Sequence, residues 1–142
     1  PTCFKFPKPK RKKNSIKNIL ERDVKGYSIS KRLQKSYIYK DNKFPEIVDY
    51  DSEIIVKTLV STYHKIQRLT GTFVKDGETG LRLLSKNECK KLMGFPDNFK
   101  IPVSRTQMYR QFGNAVVVPV VSAIAEEVYK VLSSTFVVGS GK

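Results

Sequence analysis

Lys57-Thr58-Leu59-Val60-Ser61-Thr62-Tyr63-His64-Lys65-Ile66-Gln67-Arg68 crowds hydroxyls, cations, an amide and an imidazole into one short stretch. Thr58, Ser61 and Thr62 can bind phosphate oxygens, and Lys57 and Lys65 can neutralise them. Gln67 and Arg68 can make paired contacts with base edges, Gln suiting adenine and Arg suiting guanine. His64 is the only histidine, and no Cys, Asp or Glu stands near it at metal-ligand spacing. It reads as a surface or DNA-facing residue rather than a ligand. A polar strand-and-loop surface accounts for any one of these residues equally well.

A second constellation is Gln111-Phe112-Gly113-Asn114-Ala115-Val116. Gly113 offers a backbone that can take positive φ and lie close to another group. Asn114 supplies an amide with donors and an acceptor. On local grounds a helix C-cap followed by an ordinary core helix explains the stretch, since Gly-Asn pairs are common turn formers.

The elements that must position these residues follow from caps and periodicity. Asn14 or Ser15 predicts a short helix over 16–20. The stretch 27–39 reads as helix or strand, with Ser30 able to cap a short helix over 31–36 and Tyr37-Ile38-Tyr39 favouring an extended exit. Ile47, Val48, Ile54, Ile55, Val56, Leu59, Val60, Ile66, Phe73 and Val74 fall in short β-branched or aromatic runs. These runs predict a small, mostly antiparallel sheet. Asp76-Gly77 is a hairpin signal leading into Leu81-Arg82-Leu83. Ser85-x-x-Glu88 is a capping-box pattern opening a helix to about Met93. Ser104 caps a helix over 105–112, which Gly113 ends. Pro119 suits the first turn of a last helix. On it Val117, Val120, Val121, Ile124, Val128, Val131 and Leu132 share one broad face. The fold class is therefore α+β, with short helices around a small sheet.

Composition narrows the partner. The 142 residues carry 27 Lys and Arg against 13 Asp and Glu, a formal charge of +14. That balance calls for a polyanion, and nucleic acid is the simplest. Lys8, Lys10, Arg11, Lys12 and Lys13 form a run that is solvated by default. No apolar run is long enough to span a bilayer, so no membrane role is expected. Cys3 and Cys89 are far apart and predict free thiols in a reducing compartment. The first residue is Pro rather than Met, which predicts a fragment or a processed product.

Gly80-Leu81-Arg82-Leu83-Leu84-Ser85-Lys86-Asn87-Glu88-Cys89-Lys90-Lys91-Leu92-Met93-Gly94-Phe95-Pro96-Asp97-Asn98-Phe99 resembles the ninth motif of DNA cytosine-5 methyltransferases. Tyr109-Arg110-Gln111-Phe112-Gly113-Asn114-Ala115-Val116, followed by Pro119-Val120, resembles the tenth. Phe4-Lys5-Phe6-Pro7-Lys8-Pro9 looks like the segment after the eighth motif, and Thr58-Leu59 like the Thr-Leu pair of the target-recognition region. The likeness is strong from Arg82 to Leu132 and weak from Arg11 to Gly77. Two long motifs in register are far more specific than a lone Gly-Asn.

The resemblance implies a division of labour. Residues 1–14 would be a connector following the catalytic domain. Residues 15–103 would be the target-recognition domain, including the ninth motif. Residues 104–142 would be the tenth motif and a helix returning to the cofactor domain. Asn114, Ala115 and Val116 match positions that line the site of S-adenosylmethionine. Thr58 would sit near the target strand's backbone. Arg82 and Glu88 match positions that hold the recognition region together, and Gly113 is structural with them.

Three family features are missing, one of them the Gly-rich loop that holds most of S-adenosylmethionine. The family's nucleophile is a Cys after Pro, whereas Cys3 follows Thr2 and Cys89 follows Glu88. The Glu of its acidic-Asn-Val triplet has no counterpart either. The chain alone is therefore expected to be inactive, with no catalytic residue of its own. Its expected partners are double-stranded DNA and the N-terminal catalytic portion, in a bacterial cytoplasm and a restriction–modification system. The competing reading is a stand-alone basic DNA-binding module without a catalytic partner. Without the catalytic portion, the apolar face over 117–132 is expected to drive self-association or to leave its helix displaced.

Overall fold

Ser85 and Glu88 start a helix by satisfying each other's backbone. Ser85 Oγ accepts from Glu88 N at 3.1 Å, and Glu88 Oε2 accepts from Ser85 N at 2.6 Å. The helix, α2, runs Lys86–Leu92 as the capping box predicts. It belongs to a computed structural model that describes residues 3–9 and 15–137. Asn14 and the basic positions Lys10, Arg11, Lys12 and Lys13 lie outside the described residues. Contacts divide the chain into two units, Lys13–Ala115 and a smaller one drawn from Pro1–Lys12 and Val116–Lys142.

The other caps act as their residue types dictate. Ser15 accepts from Lys17 N and starts a single 3-10 turn, Ile16–Asn18. Ser30 accepts from Leu33 N and starts α1, Lys31–Leu33, which widens into a π turn over Gln34–Ile38. Gln34 is buried there, and its amide donates to Ile29 O at 2.7 Å and Thr79 O at 3.1 Å. Ser104 accepts from Gln107 N and starts α3, Arg105–Asn114. Gly113 does not end α3. It lies inside the helix and is absent from the positive-φ glycines.

The sheet corrects the sequence expectation. Its strands, β1 (Glu46–Val48) and β2 (Thr72–Val74), run parallel, pairing Ile47 with Phe73. A parallel pair needs a long crossover, and residues 49–71 provide it. Among the described residues, antiparallel pairing survives only as isolated bridges, Ser28 with Arg82 and Val74 with Arg82. The Asp76-Gly77 turn does form, with Gly77 at φ 80°. Val74 and Arg82 exchange two bonds at 2.9 Å across it. The ladder stops there because the next backbone donors go elsewhere. Leu83 N donates to Tyr27 O, and Leu84 N to the Tyr63 hydroxyl. The β-branched residues Ile54, Ile55 and Val56 join no strand, and Ile55 is 75% exposed. Their propensity is for extended backbone, and a ladder also requires a neighbour edge.

The core of the larger unit gathers Ile29, Ile38, Phe73, Leu81, Leu84, Met108 and Tyr109. Arg82 and Glu88 sit among them with no side-chain exposure. Arg82 Nη1 and Nη2 donate to Glu88 Oε2 and Oε1 at 2.8 and 2.9 Å. Its Nε donates to Asp76 at 2.8 Å, and the remaining donors go to Leu83 O and Glu21 O. All five guanidinium N–H groups are thus used, which is what makes the burial tolerable.

In the smaller unit, Pro119 sits in the first turn of α4, Val118–Val137. Phe6, Pro7, Lys8 and Pro9 border a groove with Pro119, Val120, Ala123 and Ile124. Along the expected apolar face, Val120, Val121, Val128 and Leu132 are all more than 40% exposed. No helix among the described residues is long and apolar enough to cross a membrane.

Candidate nucleic-acid interface and cofactor corner

Residues 57–71 are anchored by buried side chains and expose polar ones together with Leu69. Leu59 and Tyr63 are the buried anchors. The Tyr63 hydroxyl donates to Thr72 O and accepts from Leu84 N at 3.0 Å. A 3-10 turn over Tyr63–Lys65 ends at Ile66, which adopts φ 55°, ψ 52°. A left-handed residue with a β-branched side chain costs about 1–2 kcal/mol or more, so its surroundings must hold it there. Ile66 reverses the chain, and Gly71 N then donates to Gln67 O at 2.9 Å, closing a loop over 67–71. A Cβ on Gly71 would stand 2.8 Å from that same oxygen.

Arg68 pins this loop from inside. It is only 6% exposed. Its Nη1 and Nη2 donate to the two Asp41 carboxylate oxygens at 2.6 and 2.8 Å, and Nη1 also reaches Lys43 O. The hydrogen bonds from Arg68 pull the Asp41 carboxyl down to about 2, with Lys43 N helping. Lys57 is also partly engaged, donating through Nζ to Leu69 O at 2.9 Å. The Thr70 hydroxyl donates to Gln67 Oε1 at 3.0 Å.

Thr58 and Lys65 are exposed, and Ser61, Thr62, His64 and Gln67 are half-buried. His64 Nδ1 lies 3.1 Å from Ser61 O. A carbonyl only accepts, so in this contact Nδ1 is the donor. The segment can therefore offer hydroxyls, an imidazole, an amide and ammonium groups to an anion.

The second constellation sits at the end of α3. Asn114 is exposed, and Ala115 leaves the helix at φ −77°, ψ 158°. Asn114 and Ala115 border a shallow depression with Gln107, Arg110 and Gln111. Val116 opens the smaller unit and is 63% exposed. One amide beside small apolar groups fits the lining of a cofactor site; these residues alone do not enclose one. Gly113 faces the other way, against the backbone of Val60 and Ser61.

Cys89 offers no nucleophile. It is fully buried, and burial pushes its thiol far above the usual range, with Glu88 adding to the effect. Among the described residues no group of His, Cys, Asp and Glu could hold a metal ion.

The sequence reading did not anticipate Asp41 as the partner of Arg68. Twenty-seven positions separate them, and nothing in a polar Asp41-Asn42 loop signals the pairing. Nor did it anticipate Ile66, because a β-branched residue is the last type expected in the left-handed region.

The fold matches part of solved methyltransferases. It superposes on the Entamoeba histolytica methyltransferase EhMeth with a TM-score of 0.72 and 25% identity, over 92% of this chain and 46% of that one. The Dnmt2 methyltransferase of S. pombe gives 0.68 at 24% identity, over 84% and 42%. The particular family follows from sequence: the model for C-5 cytosine-specific DNA methylases matches residues 2–130, and the chain belongs to that family. The Type II methyltransferase M.MspI of a Moraxella species is 66% identical over 88% of this chain. M.BsuFI of Bacillus subtilis, another Type II methyltransferase, is 64% identical over 86%. In both cases the chain spans 30% of the relative's length.

Proposed function

We propose that the chain is the DNA-recognising, cofactor-pocket-completing C-terminal part of a DNA cytosine-5 methyltransferase, working in a bacterial restriction–modification system. The observation that carries this is the combination of a family match across residues 2–130 with coverage of 30% of each relative. Residues 15–103 act as the target-recognition domain. Residues 104–142 bring the tenth motif and α4 back to the cofactor domain.

Lys57, Thr58, Ser61, Thr62, His64 and Lys65 meet the DNA backbone, where hydroxyls and cations set register without reading sequence. Gln67 reads a base edge, and the Thr70 bond orients its amide. Arg68, which the sequence offered as a second base reader, is buried against Asp41 and instead holds the loop that presents Gln67. Asn114, Ala115 and Val116 line the S-adenosylmethionine site. The cofactor supplies the methyl group for cytosine C5. The nucleophile and the acid that activates the ring come from the N-terminal portion. Arg82 and Glu88 keep the recognition region on its core.

Mixing the chain with that N-terminal portion and assaying methyl transfer to a panel of duplexes tests this reading. The expected result is no transfer by either part alone and measurable transfer by the mixture. Turnover by the purified chain alone would refute it. DNA binding with no complementation would identify a stand-alone binding module instead.

A further inference from the structure

Helix α3 and the 58–65 segment meet backbone to backbone. A Cβ on Gly113 would collide with Ser61 N, the Val60 carbonyl carbon and Ser61 Cα. None of these atoms belongs to a flexible side chain that could swing away. Since Gly113 is helical and not left-handed, glycine is required here by proximity and not by backbone freedom.

The surrounding contacts leave no slack. The Tyr63 and Tyr109 rings meet edge to face at 5.0 Å and 74°. Both hydroxyls bind the same residue, Tyr63 accepting from Leu84 N and Tyr109 donating to Leu84 O. Both rings are buried. Close-packed elements of this kind shift together or not at all. On one side of the contact stand Ser61, Thr62 and His64. On the other, one residue beyond Gly113, stands Asn114.

We propose that Gly113 is a positioning residue that joins the DNA-facing segment to the cofactor-lining end of α3, so that engagement of DNA at 58–65 and of the methyl donor at Asn114-Ala115 are energetically coupled. The proposal rests on the roles assigned above to both sites. Such coupling is reciprocal, and typical factors are on the order of 5–150-fold. A methyl group on Gly113 can be accommodated only by parting Ser61 from α3, which uncouples the two sites while each keeps its own side chains.

The test uses the complete enzyme carrying this chain, with S-adenosylhomocysteine as probe. Its Kd is measured with and without a duplex that the enzyme methylates. The wild type should bind the probe several-fold more tightly with DNA present. Gly113→Ala should bring that ratio close to one while retaining probe binding without DNA; an unchanged ratio overturns the proposal. Asn114→Ala should weaken the probe with or without DNA. If it does not, the cofactor reading itself fails and the proposal falls with it. Should Gly113→Ala not fold, hydrogen exchange on the wild type decides. The probe alone should slow exchange across 58–65, and no change there overturns the joint.

Discussion

Arg82 and Glu88 face each other through two bonds at 2.8 and 2.9 Å with neither side chain open to solvent. Glu88 does more than balance a charge. Its Oε1 also accepts from Glu21 N at 2.8 Å, and its Oε2 from Ser85 N. One carboxylate therefore ties the residues before α1, the start of α2 and the bridge residue Arg82 into one core. Burial opposes the Arg82 cation, but the bonds to Glu88 and Asp76 outweigh it and hold its pKa above the ordinary value.

Glu88→Ala leaves a guanidinium buried with two of its five hydrogen bonds gone. Breaking a buried pair by removing one member costs about 3–5 kcal/mol. Urea unfolding of the chain should show a loss of that size, and a loss below about 1 kcal/mol would contradict the pair's role.

The Asp41–Arg68 clamp has a defined pH window. The Asp41 carboxyl is lowered from 3.8 to about 2, so the folded state favours the ionised form. Its contribution is complete above the unfolded value of 3.8 and is lost as pH falls through about 2. Hydrogen exchange at Gly71, whose N–H closes the loop, should thus show no clamp-dependent opening between pH 7 and pH 4. Asp41→Asn should speed that exchange at pH 7. Equal exchange in the two proteins would mean the clamp does not hold the loop.

Binding of the chain to duplex DNA should be weak and steeply salt-dependent. Each neutralised phosphate lowers the slope of log K against log salt by roughly 0.9. Lys65→Ala should weaken binding on all sequences alike and reduce the slope by about one contact. Charge reversal at Lys12 and Lys13 should act in the same way. A loss confined to one DNA sequence would show that these lysines read bases.

Helix α4 exposes Val120, Val121, Val128 and Leu132 along one face. Burying such a side chain contributes about 1.5–3 kcal/mol, so the face favours covering by another surface. The isolated chain should self-associate at high concentration, read by sedimentation. Ile124→Glu with Val128→Glu should give a monomer that still binds DNA and no longer complements the N-terminal portion. Complementation retained by that double variant would show that α4 does not dock on it.

The sequence by itself determined what depends on neighbours a few positions apart. The Ser85–Glu88 box, the caps at Ser15, Ser30 and Ser104, and Pro119 in the first turn of α4 are local chemistry, and all appear where residue types place them. The Arg82-to-Leu132 motifs likewise carry the family without coordinates. Strand pairing was not legible, because Ile54-Ile55-Val56 has the same β character as Ile47-Val48 and only the latter meets a partner edge. The partner of Arg68 was not legible either, since Asp41 reaches it only after the chain has folded back. Gly113 shows the limit most plainly. Sequence read it as a helix end and as a backbone able to lie close to another group; the helix end was wrong, and only the tertiary structure shows that the close neighbour is the backbone of Ser61, in the space a Cβ would need.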